Sequence, residues 1–100
     1  MSETFTIPEI PLRLAPSTPE VAEIIGFRWA SSEVGARHKI GGSPDWLQEP
    51  EVPTCSCGKS MSFYAQLDSI GDTVCIADCG MVYVFVCFGC FQTKSVLQSA

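Results

Sequence analysis

Apolar and polar positions are most clearly patterned in the second half of the chain. Met81-Val-Tyr-Val-Phe-Val-Cys87 is an unbroken apolar run of β-branched and aromatic residues. It predicts a strand that is apolar on both faces, and therefore central and buried. Ser60-Met-Ser-Phe-Tyr-Ala-Gln-Leu67 alternates well enough to predict a second strand. Thr73 to Ala77, apolar and β-branched, predicts a third. Asp68 to Asp72 and Asp78-Cys79-Gly80 read as the turns between them, with Asp68, Asp72 and Asp78 as ordinary turn residues. Val96 and Leu97 fit either a last strand or a helical turn.

The first half is broken more often. Pro8, Pro11, Pro16 and Pro19 make residues 1–20 a proline-rich extended segment. Leu12-Arg13-Leu14 alternates there as a short edge strand would. Ser17-Thr18-Pro19-Glu20 is a helix-start pattern, a cap at Ser17 with Glu three residues on and Pro at the first turn. It predicts a helical turn over residues 19–25. Phe27 and Trp29 alternate with Arg28, which instead predicts a strand over Ile24 to Ala30; a short helix followed by a strand satisfies both. Residues 31–54 are turn-rich, with Gly35, Gly41-Gly42, Ser43-Pro44-Asp45, Pro50 and Pro53. The pattern as a whole predicts a mainly β fold, one compact domain over residues 1–100 with a mostly antiparallel sheet and room for a short helix.

A chain of 100 residues buries a modest core, so a cross-link would matter to its stability. Apolar residues make up 46% and charged residues 17%, which excludes a disordered chain. Six Lys and Arg against eleven Asp and Glu give a net charge of −5. The cations are scattered, with Arg37-His38-Lys39 the densest group. That balance argues against nucleic-acid binding, because phosphate contacts need clustered Lys and Arg. No basic start followed by an apolar run opens the chain, so no signal peptide is expected. No run approaches the length that spans a bilayer. The expected setting is the cytoplasm, without membrane contact, where paired cysteines serve metals or catalysis more often than disulfides.

All six cysteines lie after residue 54, and four form two close pairs. Cys87-Phe-Gly-Cys90 has the two-residue spacing that a metal-binding turn favours, and Gly89 permits that turn. Cys55-Ser-Cys57 is spaced by one residue. On extended chain, positions i and i+2 face one side, so this pair can converge as well. The 29 residues between Cys57 and Cys87 hold two strands and part of a hairpin return, which brings the second pair back beside the first. The set Cys55, Cys57, Cys87 and Cys90 therefore predicts a zinc-ribbon-like clamp holding Zn²⁺. Cys75 or Cys79 could replace Cys55 as a ligand. Buried or free thiols are the plainer reading, and ligand type alone leaves an iron–sulfur cluster open. No amphipathic helix follows Cys87, which argues against a thioredoxin-type redox pair.

Other chemistry is sparse. His38 is the single histidine and, between two cations, reads as a solvated surface residue. No phosphate-binding loop, dinucleotide fingerprint or Ser/His/Asp arrangement is present. Lys39-Ile-Gly-Gly-Ser-Pro-Asp-Trp-Leu-Gln48 fits an anion-binding loop. It fits better a tight turn that packs Trp46 into the core.

Taken in order, these motifs resemble a known group. The 39–48 segment is followed by Pro53-Thr-Cys-Ser-Cys-Gly58, Met61-Ser-Phe-Tyr-Ala-Gln-Leu67, Asp78-Cys-Gly80 and Val82-Tyr-Val-Phe-Val-Cys-Phe-Gly-Cys90. Residues 37–100 resemble the YwqG-like family of bacterial proteins of unknown function and the eukaryotic programmed cell death protein 2 family. Val96-Leu-Gln-Ser99 is similar to the ending of the eukaryotic group. The resemblance implies a β-rich fold, a cysteine-bound zinc and a protein-binding role, and carries over no catalytic residue. It implies metal roles for Cys57, Cys87 and Cys90. For Lys39, Gly41, Gly42, Pro44, Trp46, Gln48 and Gln66 it implies structural or binding roles. Relatives more often space the first pair by two residues, which leaves Cys55 supported by geometry alone. The expected function is a small, non-enzymatic, zinc-binding protein-interaction module with a basic client protein, with Lys39, Trp46 and Gln48 in partner binding. A thiol-dependent redox or metal enzyme is the alternative. The oligomeric state is not specified.

Overall fold

The computed structural model describes residues 6–26, 34–72 and 74–99. Its framework is one five-stranded antiparallel sheet in the order β1-β2-β3-β4-β5. The strands are β1 (Ile10–Pro11), β2 (Lys39–Ile40), β3 (Ser62–Asp68), β4 (Met81–Val86) and β5 (Thr93–Gln98). Among the described residues one six-residue helix, α1 (Pro19–Ile24), stands outside the sheet.

The helix forms where the proline and cap pattern placed it, but Thr18 rather than Ser17 is the cap. The Val21 amide donates to the Thr18 hydroxyl at 3.2 Å, with Pro19 in the first turn. The edge strand falls at Ile10–Pro11 instead of Leu12–Leu14. The Leu12 amide still donates to the His38 carbonyl at 2.9 Å, so pairing reaches residue 12 and stops short of 14. The strand expected over Ile24 to Ala30 falls largely outside the described residues.

Three sequence expectations are corrected. Thr73 to Ala77 is not a strand among its described residues. β3 and β4 pair directly, Asp68 opposite Met81, so no strand from the connection is inserted between them. The segment folds on itself through Ile70 N–H to the Val74 carbonyl and Gly80 N–H to the Ile76 carbonyl. β4 is central, between β3 and β5, but buried on one face. Met81, Tyr83 and Phe85 are buried while Val82, Val84 and Val86 are half-buried; Trp46, Leu47, Cys55 and Met61 pack with the buried set. Asp68 is no turn residue: it ends β3 at 2% exposure.

The core follows from the strand period. Met81, Tyr83 and Phe85 share a face of β4 and pack with Met61, Cys55 and Cys87. Trp46, Leu47, Phe63 and Val96 close over them. Trp46 stacks on Phe85 at 6.0 Å and lies tilted against Tyr83 at 4.7 Å. Among the described residues, no helix is long and apolar enough to cross a membrane.

Candidate metal centre and the loop beside it

The register of β3 on β4 brings the two cysteine pairs together. Ser62 lies opposite Val86, so the start of β3 and the end of β4 share one end of the sheet. Cys55 and Cys57 occupy a tight turn just before β3. It is closed by Cys55 N–H to the Lys59 carbonyl and Gly58 N–H to the Cys55 carbonyl, both 2.9 Å, with Gly58 at φ +92°. Cys87 and Cys90 occupy the hairpin from β4 to β5, closed by Phe91 N–H to the Cys87 carbonyl at 2.7 Å and Cys87 N–H to the Gln92 carbonyl at 2.9 Å. Phe91 takes φ +62° in this turn. The gap between the pairs holds β3, the 69–80 connection and β4.

All four Sγ atoms lie within 4.8 Å of one another. Cys55 Sγ is 3.1 Å from Cys90 Sγ, and Cys57 Sγ is 3.6 Å from Cys87 Sγ. A tetrahedron with metal–sulfur bonds of about 2.3 Å has sulfur–sulfur edges of roughly 3.8 Å. The cluster therefore fits a single metal ion with four thiolate ligands, and Cys55 belongs to it despite the one-residue spacing. Cys75 and Cys79 do not join it; they pair with each other on the 69–80 connection.

The electrostatics of the four thiols are uneven. Backbone N–H groups of Cys90 and Gly89 pull the Cys87 thiol down to about 6. Cys55 is also lowered, by the Cys57 backbone N–H and then by the Cys90 thiol. Cys90, hydrogen-bonded to Cys55, is pushed up to about 12. Crowded thiols cannot all ionise without a counter-charge, and a bound cation would supply it.

Gln92 laces the two turns together, a role that the sequence did not reveal. Its Oε1 accepts from the Ser56 hydroxyl at 2.9 Å, the Ser56 amide at 3.3 Å and the Cys55 thiol at 3.1 Å. Lys94 Nζ donates to the Thr54 carbonyl at 2.9 Å. Phe88 and Phe91 are exposed on the second turn and meet edge to face, 6.4 Å apart.

The 39–48 segment runs along the core face. Gly41 N–H donates to the Tyr64 carbonyl and Gly42 N–H to the Ile7 carbonyl. Those donors are already used, which removes the anion-binding reading and leaves the tight turn that packs Trp46. Lys39 is buried and paired with Glu9 at 3.0 Å and Asp45 at 3.1 Å. Burial alone would lower its pKa, but the two carboxylates outweigh it and raise it. Gln48 is exposed and donates to Ser99.

Three core side chains fix the loop. Gln66 accepts from the Asp45 amide at 2.9 Å and donates to the Arg37 carbonyl and the Asp45 carboxylate, both at 2.8 Å. The Tyr83 hydroxyl donates to the Asp45 carbonyl at 2.7 Å and accepts from the Leu47 amide at 3.1 Å. Gln98 accepts from the Leu47 and Gln48 amides at 3.0 and 2.9 Å and donates to the Glu49 carbonyl at 2.6 Å and Glu51 Oε1 at 3.0 Å.

The Arg37-His38-Lys39 group is turned inward, which corrects the reading of His38 as a surface residue. His38 is 5% exposed; its Nδ1 accepts from the Asp68 amide at 3.0 Å, and its Nε2 meets the Gly35 carbonyl at 3.1 Å. Arg37 forks onto Asp68 through Nε at 2.7 Å and Nη2 at 2.8 Å. Asp68 also accepts from the Gly35 and Arg37 amides. Burial alone would push the Asp68 carboxyl up, but Arg37 and these amides hold it below the ordinary carboxylate value.

Comparison with known proteins is brief. Over 63 residues the chain is 36% identical to an uncharacterized protein, YpfL, of Salmonella typhimurium (strain LT2). The match takes in 60% of this chain but spans only 14% of that relative's length. No family model matches. No solved structure matches.

Proposed function

We propose that this chain is a zinc-stabilised, non-enzymatic protein-interaction module of the cytoplasm, related to the YwqG-like and programmed cell death protein 2 families. The observation that carries the metal half of this reading is the convergence of four Sγ atoms within 4.8 Å. A set of four thiolates favours Zn²⁺, fills its tetrahedron and leaves no open position for substrate. That favours a structural ion over a catalytic one. A reducing compartment keeps the thiols available for it.

The interaction half rests on the surface that the clamp supports. Gln48 is exposed, Trp46 is half-buried, and exposed Glu49 and Glu51 follow them. Lys39 serves that surface from beneath, through its ion pairs. The acidic loop and the net charge of −5 suit a basic client by charge complementarity. Protein purified without chelators should carry about one zinc per chain and protect four thiols from alkylation. Metal-free protein with six freely titrating thiols would refute the clamp. Capture from lysate with wild type and Gln48→Ala should give different partner sets; identical sets would remove the role assigned to this loop.

A further inference from the structure

Cys75 and Cys79 form a second thiol pair, separate from the four-thiol cluster. They lie on the connection from β3 to β4 with their Sγ atoms 3.8 Å apart. The turn that presents them has an unusual backbone. Ala77, Asp78 and Cys79 take φ of 47°, 58° and 65°. Side chains of L-residues disfavour this region, and three in succession make a left-handed turn of non-glycine residues. Strain of this kind persists only where the surroundings enforce it, and it points to function. Here the Gly80 amide donates to the Ile76 carbonyl at 2.6 Å, and the Cys79 amide donates to Cys75 Sγ at 3.0 Å. Gly80 sits against the end of β5, where an added Cβ would meet the Gln98 carbonyl oxygen at 2.5 Å. Ser69 bridges both sides of the loop, accepting from the Ile76 amide at 2.9 Å and donating to the Gly80 carbonyl at 2.8 Å. The product of this geometry is two thiols, four residues apart, held face to face.

We propose that Cys75 and Cys79 form a reversible disulfide, with a small-molecule disulfide such as oxidised glutathione as the oxidant. Cys75 is half-buried while Cys79 is 8% exposed, so Cys75 meets the oxidant. Burial, followed by contact with the Cys75 thiol, raises the Cys79 thiol's pKa and keeps it protonated while Cys75 reacts first; its place 3.8 Å from the Cys75 sulfur is what favours the second, internal step. In the first step the Cys75 thiolate attacks one sulfur of the small disulfide. A mixed disulfide forms, the small disulfide's own S–S bond breaks, and one small thiolate leaves. In the second step the Cys79 thiolate attacks the Cys75 sulfur, the Cys75–Cys79 bond forms, and the second small thiolate leaves. Two protein thiols lose two electrons, one small disulfide gains them, and its two thiolates take the two protons. The sulfurs close from 3.8 Å to about 2.05 Å. Because the folded turn already juxtaposes the thiols, the disulfide stabilises that turn to the same degree that folding favours the disulfide. The selectivity of this reaction rests on the proposed metal clamp, which masks the other four thiols.

The test uses the whole metal-loaded chain, equilibrated with graded ratios of oxidised to reduced glutathione, quenched with acid, alkylated and mapped by mass spectrometry. A linked Cys75–Cys79 peptide should appear, with metal content unchanged. Cys79→Ser should stop at a glutathione adduct on Cys75, whereas Cys75→Ser should leave Cys79 unmodified. The equilibrium constant for closing the bond should be at least about tenfold larger in folded protein than in urea. Independent alkylation of Cys75 and Cys79 at every ratio would overturn the proposal, as would a glutathione adduct that persists on wild-type Cys75. Equal equilibrium constants in folded and unfolded protein would overturn it too. Oxidation of the cluster with loss of metal would instead show that the bound ion does not mask those four thiols, while the linked peptide would still decide this pair.

Discussion

Replacing Gln98 by Leu separates the loop that bears Trp46 and Gln48 from the side chain that fixes it. Gln98 is 1% exposed and uses all of its amide in four hydrogen bonds. Leucine fills a similar volume and makes none of them. The Leu47 amide keeps the Tyr83 hydroxyl at 3.1 Å. The Gln48 amide and the Glu49 carbonyl lose their Gln98 partner. Each net hydrogen bond contributes about 0.5–1.5 kcal/mol, and a buried group left unpaired costs about 1–3 kcal/mol. Water can reach the exposed Gln48 and Glu49, which keeps the total near the lower end, about 2–4 kcal/mol. For a domain of this size that lowers Tm by roughly 10–25 °C. Urea unfolding of metal-loaded protein, followed by tryptophan fluorescence, should show a lower midpoint at unchanged slope. Hydrogen exchange should show the Gln48 amide losing protection. Tyr83→Phe should cost about 1–2 kcal/mol. The double variant should depart from additivity by at least about 0.5 kcal/mol, because both side chains bond the Leu47 amide. A loss below about 0.5 kcal/mol for Gln98→Leu, with Gln48 protection intact, would refute the role given to Gln98.

Asp68→Asn should cost about 3–5 kcal/mol, since it leaves a part-buried Arg37 without its carboxylate. Because the folded Asp68 pKa is held below its ordinary value of 3.8, its contribution is complete above that pH and is lost as pH falls through the lowered value. Wild type should therefore lose more stability than Asp68→Asn on acidification; parallel pH profiles would contradict this. Chelation, or Cys57→Ser, should release the proposed metal and lower Tm by more than about 10 °C, read by calorimetry beside metal analysis. An unchanged Tm would mean that the cluster holds no stabilising ion. Gly41→Ala should destabilise by more than about 1 kcal/mol, because Gly41 has φ +72° and an added Cβ would collide with the Pro8 carbonyl. Equal urea midpoints for the two proteins would refute that packing.

What the sequence by itself determined is local. The Met81–Cys87 run predicted a strand, which forms over Met81–Val86, and the Cys55-Ser-Cys57 and Cys87-Phe-Gly-Cys90 spacings predicted paired ligands. Ser17-Thr18-Pro19-Glu20 carried a helix-start pattern, although Thr18 rather than Ser17 caps the helix. The tertiary structure decided everything that depends on a distant partner. Cys55 joins the cluster because Ser62 pairs with Val86, a register that no spacing rule contains. In the string Asp68 reads as a turn residue and His38 as a surface residue. They are buried because each satisfies the other's neighbourhood, Asp68 with Arg37 and its amide with His38 Nδ1. Thr73 to Ala77 had the composition of a strand, yet β3 pairs directly with β4 and its described residues form turns. Gln98 reads as a polar residue near the end of the chain, and its partners lie about fifty positions earlier. Local propensity is written in neighbouring residues, whereas a buried polar group needs specific donors and acceptors that only chain closure can bring within 3 Å.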